Sequence, residues 1–174
     1  MSDLGDMVRT VCGETTAFVG VGNPDRRDDG AGIALVKLLE AEGIGSVFTA
    51  GTSPERLLPA LREGGFSVIV FCDAVDAGLE PGSVILMEAR DIIARYPQVS
   101  THKISLGTVA GLLRGENGPE VYLLGIQPET IEMQPDAALS TAVEHTLNLL
   151  VARIGEAMPA VHRNPSGGRQ LHVA

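Results

Sequence analysis

Within the stretch Ser67-Val-Ile-Val-Phe-Cys, every residue after the serine is apolar. A strand with apolar side chains on both faces cannot lie against water on either side. It needs a layer above and a layer below, which is the situation of a central strand in an α/β protein. The rest of the chain supplies those layers. Further β-branched runs occur at Ala17–Val21, more weakly at Ser46–Ala50, at Ser83–Met87 after the turn Leu79-Glu-Pro-Gly, and at Val121–Ile126. Helical patterns fall at residues 30–42, Pro54–Arg62, Leu106–Arg114 and Thr141–Ile154.

Local signals mark where these helices begin and end. Ser53, Ser105 and Asp28 read as N-caps, and Gly155 as a stop. Leu106, Val109, Ala110 and Leu113 share one helical face, and Val143, Leu147, Leu150 and Ile154 share another. Alternating strands and helices predict a three-layer α/β sandwich around a twisted, mostly parallel, five-stranded sheet. The loop between Ser67–Phe71 and Ser83–Met87 is short, so that pair could run antiparallel and make the sheet mixed.

The length of 174 residues suits one domain, expected over residues 1–158, with a polar tail at 159–174 that has little to bury and is expected to be disordered. The net charge of −9 argues against a nucleic-acid binder. No apolar run approaches the roughly 20 residues of a membrane span, and the acidic start, Met1-Ser-Asp-Leu-Gly-Asp, does not resemble a signal peptide. Cys12 and Cys72 offer neither a disulfide framework nor a CxxC pair. A cytoplasmic protein with reduced thiols is the expectation.

The turn after the first strand reads Gly20-Val-Gly-Asn-Pro-Asp-Arg-Arg-Asp-Asp-Gly30. It opens like a dinucleotide fingerprint, but Asp25 stands where a third glycine is required. Asp28 and Asp29 would also meet a pyrophosphate where bare N–H groups are wanted. If Asp28 caps the helix, Asp29 is a second carboxylate free to face the crevice beyond the strand ends. Asp73 closes the most apolar strand at the same kind of position. Asp76 reads as a turn residue and Cys72 as a small core residue. His102 lies in the polar stretch Val99-Ser-Thr-His-Lys-Ile-Ser. Asp29, Asp73 and His102 would together suit Zn²⁺, Mn²⁺ or Ni²⁺ with positions left open, although spacing alone does not bring them together. Arg26 and Arg27 read as solvated surface.

Four stretches, GVGNPDRRDDGAG, CDAVDAGLEPGSVIL, STHKISL and LLGIQPETI, occur in the order found in the NiFe hydrogenase maturation endopeptidases, and the chain resembles that family over roughly residues 16–155. GLEPG and LGIQPE are most similar to the branch serving formate-hydrogenlyase and energy-converting hydrogenases. The resemblance implies an endopeptidase that removes a C-terminal peptide from the nickel-loaded large-subunit precursor. It implies Asp29, Asp73 and His102 as metal contacts, with Asp29 and Asp73 catalytic and Ni²⁺ recognised in the substrate rather than held as a cofactor. Asn23, Thr52 and Gln127 are expected substrate contacts. Relatives often carry an acid before the glycines that follow the second strand, where this chain has Thr49. No HExxH motif is present. The alternatives are a nickel-checking chaperone that does not cut, and a peptidase of the same fold with an unrelated substrate.

Overall fold

A computed structural model describes residues 3–13, 15–95, 106–133 and 138–158. Five strands, β1 (Thr16–Val21), β2 (Ser46–Gly51), β3 (Val68–Ala74), β4 (Val84–Glu88) and β5 (Glu120–Ile126), form one sheet in the order β2-β1-β3-β5-β4. The pairs β1–β2, β1–β3 and β3–β5 are parallel. The sheet is mixed, as expected, but the antiparallel partner of β4 is β5 and not β3. The short loop after β3 carries the chain past the position that β5 later fills, and β4 becomes an edge.

Among the described residues, six α-helices cover the sheet: α1 (Leu4–Val11), α2 (Ala31–Ala41), α3 (Leu58–Glu63), α4 (Ala89–Arg95), α5 (Leu106–Arg114) and α6 (Thr141–Ala157). On one face α1, α2 and α6 pack Val11, Leu35, Leu147 and Leu150 against Phe18, Val70, Cys72 and Leu124. On the other face α3, α4 and α5 pack Leu61, Ile92, Val109 and Leu113 against Val19, Ile69, Phe71 and Leu123. Phe71 and Cys72 are adjacent in sequence and both fully buried, on opposite faces, as the run at 68–72 requires. The weak β2 run is an edge strand with no fully buried residue.

Several local readings change in the structure. The helix expected at Pro54–Arg62 is a 3₁₀ turn, Pro54–Leu57, followed by α3. Pro59 has no N–H to give to the carbonyl four residues earlier, so an α ladder cannot run through it. Ser53 makes no side-chain cap bond. Gly155 does not stop α6, which continues to Ala157, while Ser140 caps its start by accepting the Val143 N–H. The expected cap at Ser105 and the tail at 159–174 lie outside the described residues.

The strand order fixes where a ligand site can form. From β1 the chain turns through α2 to β2 on one side; from β3 it leaves toward β4 and β5 on the other. The crevice of such a sheet opens between the carboxyl ends of the two strands whose connections diverge, here β1 and β3.

Candidate active site

Asp29 follows β1 and Asp73 ends β3, so both stand at this crevice. The turn from Gly22 brings them close. Gly22 has φ +124°, and a Cβ there would lie 1.8 Å from the Asp29 carbonyl oxygen and 3.5 Å from Asp73 Oδ1. Only glycine tolerates both that dihedral and that approach. The Asn23 N–H donates to Asp29 Oδ2 at 3.1 Å and lies 3.2 Å from the Asp29 carbonyl, so the carboxylate is held by its own turn. Below it, α2 sits so close to the sheet that a Cβ on Gly32 would be 1.9 Å from the Cys72 carbonyl oxygen.

The two carboxyls are electrostatically coupled. Burial and then the charge of Asp29 push Asp73 up to about 8, opposed only by the Ala74 N–H, which donates to Asp73 Oδ1 at 2.9 Å. A carboxyl that keeps its proton at neutral pH because of burial and, second, a neighbouring negative charge is a group a cation would ionise. Among the described residues, no group of three or more His, Cys, Asp or Glu side chains is assembled to hold a metal ion. His102, the expected third member, lies outside the described residues. Cys72 is fully buried, and burial together with Asp73 raises its thiol above the ordinary range, so it is a core residue.

Asp28 is not the helix cap. The N-cap of α2 is Gly30, with no side-chain cap bond. Asp28 is fully buried, and its carboxylate accepts four hydrogen bonds: Ser140 N–H at 2.7 Å, Ser140 hydroxyl at 2.9 Å, Glu129 N–H at 2.9 Å and Thr130 N–H at 3.2 Å. Burial alone would raise its pKa, but these bonds outweigh it and hold the carboxyl below the ordinary range. Arg26 and Arg27 are not simply solvated either. Arg26 Nε donates to the Ile131 carbonyl at 3.2 Å, and Arg27 Nε to the Ala138 carbonyl at 3.3 Å.

The expected substrate contacts divide. Asn23 and Thr52 sit at the crest, where the Gly22 N–H donates to the Gly51 carbonyl at 3.0 Å; Thr52 is exposed, and Asn23 Oδ1 accepts the Asp25 N–H at 3.0 Å. Gln127 is a correction. Its carboxamide is buried and spent within the chain: Oε1 accepts from Ala77 and Leu79 N–H at 2.8 and 3.2 Å, and Nε2 donates to Asp76 Oδ1 and the Pro128 carbonyl, each at 3.2 Å. With both lone pairs and both protons used, it secures the turn after β3 and has nothing left for a substrate backbone.

The model of a family described as HycI, hydrogenase maturation protease, matches residues 33–157. The chain belongs to the hydrogenase maturation protease family. The Hydrogenase 3 maturation protease of Escherichia coli K12 is 34% identical over 119 residues, covering 67% of this chain and 75% of that protein. The solution structure of the E. coli endopeptidase HycI superposes with a TM-score of 0.71 at 29% identity, over 82% of this chain and 90% of that one. The crystal structure of HycI from Thermococcus kodakarensis KOD1, at 24% identity, shares the fold with a TM-score of 0.75 over 87% of this chain and 97% of that one. The protease is an endopeptidase on a mixed sheet of order β2-β1-β3-β5-β4, with two coupled carboxyls at the switch point between β1 and β3. Among its described residues, no helix is long and apolar enough to cross a membrane.

Proposed function

We propose that this protease removes a C-terminal peptide from the nickel-loaded large-subunit precursor of a NiFe hydrogenase of the formate-hydrogenlyase or energy-converting type, in the cytoplasm. The observation that carries the reading is the Asp29–Asp73 pair at the crevice, where burial and the Asp29 charge keep Asp73 protonated and a cation brought by the substrate would ionise it. The 34% identity to the E. coli Hydrogenase 3 protease supports the choice of branch.

In this reading the precursor's nickel is part of the substrate and docks against Asp29, Asp73 and His102. Docking ionises Asp73 and brings the scissile peptide beside it. A carboxylate oxygen of Asp29 or Asp73 takes a proton from water as the water oxygen attacks the carbonyl carbon. The C–N bond then breaks, and the proton passes to the leaving amine. Exposed Leu79, Ile131 and Met133, on the turns beyond β3 and β5, supply apolar surface for the peptide, with Asn23 and Thr52 at the rim.

The test is to incubate purified protease with nickel-loaded and nickel-free precursor and follow precursor mass. Mass loss confined to the nickel-loaded form is the expected result. Equal cutting of both forms overturns nickel recognition, and binding without mass loss marks a chaperone.

A further inference from the structure

Three consecutive residues immediately before Asp29 all reach to one other segment, the chain leaving β5. Arg26 holds the carbonyl of Ile131 and Arg27 that of Ala138. Asp28 takes the N–H groups of Glu129, Thr130 and Ser140 together with the Ser140 hydroxyl, and its own N–H donates to the Thr130 carbonyl at 3.2 Å. The path between these anchors is contorted. Arg27 has φ 48° and ψ −118°, and it is the one non-glycine residue at positive φ among the described residues. A non-glycine residue whose backbone is held in such a conformation persists only where its surroundings over-determine it, and such residues gather at functional sites.

Stapling two loops does not by itself require this arrangement. The α2–α6 face of the core already fixes the two helices through Leu35, Val143, Leu147 and Leu150. What the contorted turn adds is direction. With Asp28 turned inward to Ser140, its neighbour Asp29 is left on the side of Gly22 and Asn23, over the crevice.

We propose that Asp28 is a positioning residue for the proteolytic reaction: by locking the β1–α2 turn onto Glu129, Thr130 and Ser140, it aims Asp29 at the crevice. Arg26 and Arg27 add two further anchors to the same lock, at the carbonyls of Ile131 and Ala138. The inference rests on the proteolytic reading above and deepens it. The segment that Asp28 grips also carries exposed Ile131 and Met133, so a precursor lying on that surface is held in a fixed relation to Asp29.

The experiment compares Asp28→Asn with Leu150→Ala, a change in the buried face of the helix that Ser140 begins. Both are assayed on nickel-loaded precursor at a temperature where circular dichroism shows them folded. Asn keeps the size of Asp28 but turns an N–H₂ toward backbone donors, so the lock opens. For Asp28→Asn the expected result is a fall in kcat of about 100-fold, the order produced by a displaced reacting group, with KM changed by less than about threefold. Leu150→Ala, even with an equal loss in melting temperature, keeps kcat within about threefold of wild type. If Asp28→Asn does not fold, Ser140→Ala decides: it removes one donor to Asp28 and is expected to lower kcat with KM unmoved, whereas unchanged kcat overturns the proposal. Asp28→Asn cutting at the wild-type rate, or both variants losing kcat in proportion to melting temperature, overturns it as well. Wild-type protein that leaves nickel-loaded precursor intact overturns the proteolytic reading itself, and this inference with it.

Discussion

Removing the charge of Asp73 should stabilise the metal-free protease while abolishing its function. Asp73 is raised from its ordinary 3.8 to about 8 by burial and by Asp29. A carboxyl held at the higher value favours folding fully below about pH 4, and this contribution is lost as pH rises through about 8. Holding the group ionised at higher pH would cost at most roughly 6 kcal/mol at 1.36 kcal/mol for each tenfold change. Solvent reaching the partly exposed carboxyl trims this to about 1–3 kcal/mol. Asp73→Asn keeps the acceptor for the Ala74 N–H and carries no charge, so it escapes the cost. In a chain of this size that corresponds to a melting temperature raised by roughly 3–10 °C near pH 8. Near pH 4.5 the two proteins should differ little. The assay is thermal unfolding by circular dichroism in the presence of a chelator at both pH values, beside a processing assay in which the variant should be inactive. Melting curves that run parallel across this pH range would show that neither burial nor Asp29 raises the Asp73 carboxyl in the folded protein.

Three further changes test other parts of the account. Gly32→Ala would put a methyl group 1.9 Å from the Cys72 carbonyl oxygen, a backbone atom in a central strand; a loss of more than about 3 kcal/mol in denaturant unfolding is expected, and a near-normal midpoint would refute the close approach of α2. Gln127→Ala leaves the N–H groups of Ala77 and Leu79 without their acceptor. It should cost about 1–3 kcal/mol and speed hydrogen exchange at those two amides, and unaltered exchange would mean that Gln127 does not hold the turn after β3. His102→Ala, in a polar stretch of sequence, should shift stability by no more than about 0.5 kcal/mol while cleavage fails; a large drop in melting temperature would make His102 a structural residue.

The sequence by itself determined the layered α/β class, because an apolar run such as 68–72 is stable only between two covering layers. It also determined the stripe of α6 and the strand–turn–helix that carries Asp29, since 3.6-residue and two-residue periodicities and turn chemistry are written locally. It did not reveal α1 or α4, which are eight and seven residues long and give the periodic signal little to accumulate over. Nor did it show that β4 pairs with β5, because strand partnership depends on the order in which distant segments join the sheet. The same limit explains the misreading of Asp28. Locally it is a good capping residue, but its four donors lie 101 to 112 residues away. Gln127 likewise finds its partners about 50 residues away, in the turn after β3. A polar side chain takes the hydrogen bonds that burial compels it to take, and which groups are buried beside it is decided only when the chain leaving β5 crosses to α6 and closes over the β1–α2 turn.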